Sequence, residues 1–315
     1  MISEKKTVRH LPPASSFAEK LIRMRFTLAR RVAQLLVLAL FIGTARWDWA
    51  IGGHPILSGD LSASTVLDLI PLADPLALLE RLAAGILPTA TVLLGAAIVL
   101  TAYGVLGARV FCGWICPMNL VVEAAQWLRT KCGFSADFVR ISKKSRYVVL
   151  AGVLIASAAT GSAAFEAVSP QGFLWRDLIW GSGLSALACA LAIFALELFV
   201  MRDGWCGHLC PLGAFWACVG HAQPRPQLSI RFEAKQCTHC GDCLHVCPER
   251  QIIRFKTLEK LNRIPTAECI ACGRCISICP ENALHFALGP FKSSAQSQQP
   301  NQDLKNNASH SAHRR

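Results

Sequence analysis

The stretch Cys237-Thr238-His239-Cys240-Gly241-Asp242-Cys243-Leu244-His245-Val246-Cys247-Pro248 recurs 32 residues later as Cys269-Ile270-Ala271-Cys272-Gly273-Arg274-Cys275-Ile276-Ser277-Ile278-Cys279-Pro280. Both read C-x2-C-x2-C-x3-C-P. Three thiols in so short a loop wrap three iron corners of a [4Fe–4S] cubane, and the fourth, past a helical turn and held by proline, reaches the other cluster. The spacing predicts Cys237, Cys240, Cys243 and Cys279 around one cluster, and Cys269, Cys272, Cys275 and Cys247 around a second. Gly241 and Gly273 let the backbone approach the sulfides, while Ile270, Ile276 and Ile278 keep water away. Structural zinc takes CxxC pairs from separate turns rather than one dense run. With every coordination position filled, the pair implies electron relay rather than substrate chemistry.

Upstream, residues 222–230, with Pro224 and Pro226, read as a linker. Before it lie two copies of C-G-x-x-C-P, Cys112-Gly-Trp-Ile-Cys116-Pro117 and Cys206-Gly-His-Leu-Cys210-Pro211, 94 residues apart. Each follows an apolar hairpin, so the pattern reads as an internal repeat that would bring four thiols together. What Cys112, Cys116, Cys206 and Cys210 bind is open: an iron–sulfur cluster, another metal, or a redox-active disulfide pair. Cys132, Cys189 and Cys218 have no partner at useful spacing and read as packing residues.

The apolar segments are about 31–45, 82–110, 147–168 and 178–201. A bilayer span takes about 20 apolar residues. The chain has 315 residues, 53% hydrophobic and 17% charged, with a mean hydropathy of +0.38 and 15 cysteines. That composition excludes an ordinary cytosolic enzyme, and the length excludes a small disulfide-rich secreted domain. The formal charge of +12 is unevenly placed. Lys and Arg outnumber acids by 8 to 2 over residues 1–31, 7 to 2 over 109–146, and 14 to 8 from Arg202 on. The balance reverses to 2 against 5 over 46–81 and to 1 against 2 over 166–177. By the positive-inside rule, both termini and the central loop are cytoplasmic. Trp47, Trp49, Trp175 and Trp180 would mark the outer interface, and Trp114, Trp127, Trp205 and Trp216 the inner one. Arg30-Arg31 reads as positive-inside anchoring rather than a twin-arginine signal, and the first span is expected to stay in the mature protein.

The expected architecture is an α-helical membrane protein with four spans in two repeated hairpins, carrying a C-terminal cytoplasmic α+β dicluster domain. Its expected parts are a basic N-terminus (1–30), the membrane domain (31–221), the cluster domain (222–290) and a disordered tail (291–315). A bacterial inner membrane is the expected location, and no nucleic-acid partner is expected.

Residues 231–288 resemble the dicluster ferredoxins. Four spans, paired CxxxCP motifs and a double 4Fe–4S run over residues 20–290 resemble the NapH family, with its relative MauN. Gly59-Asp-Leu-Ser-Ala-Ser64, Leu72-Ala-Asp-Pro75 and Glu166-Ala-Val-Ser-Pro170 are similar to that family as well. The resemblance implies a quinol dehydrogenase subunit, fed by the membrane quinol pool, that passes electrons toward a periplasmic nitrate reductase. NapG-like ferredoxin and NapC-like cytochrome partners are implied with it. The competing class is a maturation factor or regulator of the CcoG or NosR type, but the further spans and flavin domain of those families are not seen here. Cytoplasmic clusters and a periplasmic acceptor leave the direction of electron flow open.

Quinol oxidation needs a proton acceptor. His54, Asp60, Asp68 and Asp74 in one outer loop, and Glu166 and Asp177 in the other, read as solvated. Glu197, inside the fourth span, is either a functional group or a snorkelling one. His208, between the second pair of thiols, is a candidate tuning residue or ligand. His310 and His313 read as incidental tail composition.

Overall fold

The computed structural model describes residues 10–134, 137–139, 141–181, 184–223 and 227–289. The tail from Lys292, with His310 and His313, and the linker prolines Pro224 and Pro226 lie outside the described residues. Helix α1 (Phe17–Trp47) is capped by Ser16, whose hydroxyl accepts from the Glu19 amide at 3.2 Å. At 31 residues it spans about 46 Å, far beyond the apolar run seen in sequence. It is the one helix among the described residues both long and apolar enough to cross a bilayer.

The other three apolar segments are cut by their own glycines and prolines. The second divides into α2 (Pro75–Ala83) and α3 (Ala90–Leu106), with Gly85 at φ 77 and Pro88 between them. The third becomes α6 (Ser145–Thr160), stopped by left-handed Gly161, and the short α7 (Ala164–Val168). In the fourth, α8 (Pro170–Trp180) starts at the Ser169 cap and ends at left-handed Gly181. After it, α9 (Ser185–Ala195) runs into a π-helical turn, Leu196–Val200. The apolar helices within these three segments are therefore 16 to 17 residues long, shorter than the segments themselves. Helix α3 is apolar around its whole circumference, yet Leu93, Leu94, Leu100, Val105 and Leu106 are exposed. Val148 and Ile155 on α6, and Leu187 and Leu191 on α9, are exposed too. Faces of that kind call for an apolar surrounding.

Between α1 and α2 the expected loop is built into a β1–β2 hairpin (Ala50–Ile51, His54–Pro55) and a meander of β3 (Leu57–Gly59), β4 (Ala63–Val66) and β5 (Ile70–Ala73). In each CxxxC the first cysteine sits on a single helical turn, α4 (Val110–Trp114) or a π-turn (Trp205–Leu209), and the second follows just after it. Its proline then opens the next helix, α5 (Met118–Lys131) or α10 (Pro211–Ala222).

The C-terminal domain is closed by antiparallel pairing of β6 (Leu228–Phe232) with β7 (Leu284–Leu288). Strand β6 takes the last part of the predicted linker, because Ile230 and Phe232 are needed in the core. Between the strands come α11 (Asp242–Val246), α12 (Phe255–Leu261) and α13 (Arg274–Ile278). Ile230, Phe232, Ile253, Leu258, Ile264 and Leu284 form one apolar cluster with Cys275 and Ile276.

Candidate iron–sulfur and thiol sites

Cys237, Cys240, Cys243 and Cys279 line one cavity of the C-terminal domain, and Cys247, Cys269, Cys272 and Cys275 line another. Each run thus sends its last cysteine to its partner's cavity, and Ile264 forms a wall of both. In the first CxxC of each run the residue before the second cysteine is left-handed, His239 at φ 57 and Ala271 at φ 50. This conformation costs about 1–2 kcal/mol for a residue with a Cβ. It turns the His239 amide toward Cys237 Sγ and the Ala271 amide toward Cys269 Sγ, each at 3.4 Å. The Ala283 amide donates to Cys279 Sγ at 3.3 Å. Amides aimed at sulfur, four thiols to each cavity, and water-excluding Ile264 and Ile270 fit an iron–sulfur cluster. A mononuclear tetrahedral ion fits poorly, since its thiolates must close to about 3.8 Å apart. Among the described residues, no three of these sulfurs lie within 4.8 Å of one another. Burial pushes the Cys243 and Cys269 thiols up to about 12, so holding them as thiolates calls for a cationic centre.

Cys112, Cys116, Cys206 and Cys210 line a third cavity. The motif glycine Gly113 has a steric reason: a Cβ there would lie 2.4 Å from the Ile270 carbonyl oxygen. The loop of the second cluster run therefore rests directly on the first CxxxC, and Trp114 Nε1 donates to the Ala271 carbonyl at 3.0 Å. Pro248, Glu249 and Ile270 are walls shared by this cavity and that of Cys247, Cys269, Cys272 and Cys275. Burial pushes Cys210 up to about 11 and raises Cys112.

The contact between the two halves is a buried charge network whose partners are far apart in sequence. Glu249 Oε1 accepts from Arg109 at 2.7 Å and Arg146 at 2.9 Å, and Oε2 accepts from Lys143 at 2.9 Å. Burial raises this carboxyl, but the three cations outweigh burial and bring it down to about 2. Arg146 also pairs with Glu268 at 2.7 Å. On the other side, Glu123 of α5 holds Arg30 at 2.8 Å and also pairs with Arg31 and with Arg274 of α13. Burial raises Glu123, and Arg274, Arg30 and Arg31 together pull it below the usual carboxylate range. Arg30 is thus fully buried in an ion pair, not solvated at a head-group surface. The one signal in sequence was position: Arg109, Glu249 and Arg274 each lie close to a motif cysteine.

Other expected residues land differently. Asp60, Asp74 and Glu166, read as solvated, line one large cavity. His54, Asp68 and Asp177 do not line it. Glu197 does not snorkel: it is fully buried, and its Oε1 accepts from the Trp205 amide at 2.9 Å. His208 stands outside the thiol cavity, its Nδ1 3.0 Å from the Asp203 carbonyl. Trp175 and Trp216 are buried rather than interfacial, because each packs against aromatic rings, Phe41 and Tyr103 respectively. Cys132 and Cys218 are exposed, so neither is a core packing residue.

A family model described as a 4Fe-4S dicluster domain matches residues 229–280. A second, described as a 4Fe-4S binding domain, matches twice, at 89–135 and 182–227, over the two CxxxCP segments. The ferredoxin-type protein NapH of Haemophilus influenzae is 42% identical over 73% of this chain and 77% of its own. The methylamine utilization ferredoxin-type protein MauN of Methylorubrum extorquens is 40% identical over 71% and 75%. NapH of Escherichia coli is 37% identical over 75% and 79%. No solved structure matches. With dicluster and thiol segments both matched, and relatives this similar over most of their length, the chain is a ferredoxin-type electron-transfer protein belonging to the NapH/MauN family.

Proposed function

We propose that this protein is a membrane subunit that takes electrons from quinol and delivers them toward a periplasmic nitrate reductase system. The observation that carries the reading is the sharing of walls: Pro248, Glu249 and Ile270 between the four-thiol cavity and a cluster cavity, and Ile264 between the two cluster cavities. Cys237, Cys240, Cys243 and Cys279 would hold one [4Fe–4S] cluster, and Cys247, Cys269, Cys272 and Cys275 the other. When bound, each supplies a one-electron store. The polypeptide supplies dry walls, amides aimed at sulfur, and the ion-paired contact that keeps the cavities adjacent. Cys112, Cys116, Cys206 and Cys210 would hold a further iron–sulfur centre, a reading supported by the 4Fe-4S binding model on both segments.

The bilayer part comprises α1, α3, α6 and the α9 run as four spans, with both termini on the cytoplasmic side of a bacterial inner membrane. The exposed apolar faces and the alternation of charge support this topology. A NapG-like ferredoxin and a NapC-like cytochrome are the implied partners. Because MauN aligns almost as well as NapH, a second reading sends the electrons to methylamine utilization instead.

The test is anaerobic. Protein in detergent, loaded with about eight irons for the two [4Fe–4S] clusters and those of the further centre, is mixed with ubiquinol or menaquinol, and the expected result is reduced-cluster EPR signals. Clusters reduced by dithionite but silent toward both quinols would overturn the quinol reading. Restored nitrate reduction in a NapH-deficient strain supports the first destination; restored methylamine growth in a MauN-deficient strain supports the second.

A further inference from the structure

Three segments singled out in the sequence, Gly59–Ser64, Leu72–Pro75 and Glu166–Pro170, are distant in the chain but converge on one cavity of about 390 Å³. That is the size of a small-molecule site. Most of its wall is apolar: Val37 and Phe41 of α1, Ile98 and Ala102 of α3, and the rings of Tyr103 and Trp216. Asp60, Asp74 and Glu166 supply carboxylates to the same wall.

The carboxylates are held in different ways. Asp60 Oδ1 is tied into its own turn by the amides of Ser62 and Ala63 at 2.9 and 3.0 Å. The Ser62 hydroxyl donates to Glu166 Oε1 at 2.6 Å. Asp74 Oδ1 accepts from the Leu76 amide at 3.0 Å. Burial pushes its carboxyl up to about 7. Trp175, 1% exposed, also lines the cavity, and its indole N–H has no hydrogen-bond partner among the described residues. A buried donor without an acceptor is costly, and a ligand oxygen would satisfy it.

At its other end the cavity meets the four thiols. Phe111, Gln171 and Leu212 are walls of both, and Gln171 Oε1 lies 3.9 Å from Cys116 Sγ. An apolar chamber with proton acceptors, an orphan donor and a thiol site next to it matches a lipophilic reductant that releases protons and electrons together. We infer that this cavity is the oxidation site of a membrane hydroquinone, with Asp74 and Glu166 accepting its two protons and Trp175 holding an oxygen. This inference rests on the proposed quinol reading. Both O–H bonds of the hydroquinone break, the quinone is left, and the two electrons reduce two oxidised [4Fe–4S] clusters by one each.

The test uses the full, cluster-loaded chain in detergent, with an azido-ubiquinone as photoprobe and decylubiquinol as donor. Cross-links are expected within residues 57–74, 98–106 or 171–175. Ala102→Trp, which fills the chamber, should cut labelling about tenfold, equivalent to about 1.4 kcal/mol, and Ile98→Trp serves the same purpose if the first variant loses its iron. Asp74→Asn with Glu166→Gln should retain labelling yet slow cluster reduction by decylubiquinol about 100-fold, with dithionite reduction unchanged. Labelling elsewhere, or labelling indifferent to both fillers, overturns the site. If decylubiquinol still reduces the clusters in that case, the proposed function stands without it. If decylubiquinol never reduces them in the unaltered protein, while dithionite does, the functional reading itself fails and this inference with it.

Discussion

Gly113 shows how one absent methyl group sets the contact between the second cysteine run and the first CxxxC. Its missing Cβ leaves room for the Ile270 carbonyl, so the loop of the second cluster run lies against the first CxxxC. Gly273 does the same on the other side, where a Cβ would meet the Phe26 ring at 2.6 Å and φ is 73. Gly113→Ala must therefore push back a carbonyl rather than a pliable side chain. Amide exchange across residues 268–274 is expected to rise about tenfold, or about 1.4 kcal/mol of local stability, with iron content unchanged. Unaltered exchange would mean that the loop does not rest there. The cysteines allow a sharper test through non-additivity. Cys240→Ser and Cys279→Ser, singly or together, should each remove about four irons, because they would share one cluster. Cys240→Ser with Cys247→Ser should remove about eight, although those two residues belong to the same run. Equal iron loss in both double variants would reject the exchanged assignment.

Among the elements, the β6–β7 pair and the Ile264 segment carry the cluster domain. The Ile264 amide donates to the Ile230 carbonyl at 2.8 Å, and its side chain, 1% exposed, fills the space between the two cysteine cavities. Ile264→Ala should cost about 2–5 kcal/mol, read as loss of exchange protection in β6 and β7 and faster bleaching of cluster absorbance in air. A change confined to the surface helix α12 would contradict that role. The apolar helices show what residue counting misses. The run 82–110 is apolar almost throughout, but Gly85 and Pro88 end α2 and delay α3. Hydropathy records the solvent a segment prefers, whereas its breaks depend on backbone geometry at single residues.

Over the whole molecule, two carboxylates join the helical part to the C-terminal domain. Glu249 and Glu123 are each surrounded by cations from distant segments, and removing one partner of a buried ion pair costs about 3–5 kcal/mol. Glu123 has a lowered pKa, so its contribution is complete above the ordinary carboxylate value of 4.5 and fades as pH falls below it. Protection of the N-terminal half of α1 and of α13 is thus expected to decrease together as pH falls below about 4.5. Glu123→Gln should start from the weakened state and show no such slope. A wild-type protein with flat protection across that range would show that the cluster of arginines does not depend on this charge.

Sequence by itself determined what is local. Three thiols per run, a proline behind each fourth one, two C-G-x-x-C-P copies and the sign of each loop are written within a turn or two of backbone, where covalent reach leaves few alternatives. Tertiary structure alone decided which charges are buried and which loops meet. Arg109 finds Glu249 across 140 residues, and Ser62 finds Glu166 across 104. Asp60, Asp74 and Glu166 therefore looked like solvated loop residues, because nothing near them in the chain reports the apolar walls that enclose them. Such pairings follow from packing free energy summed over many helices and strands, and no short window of sequence carries that sum.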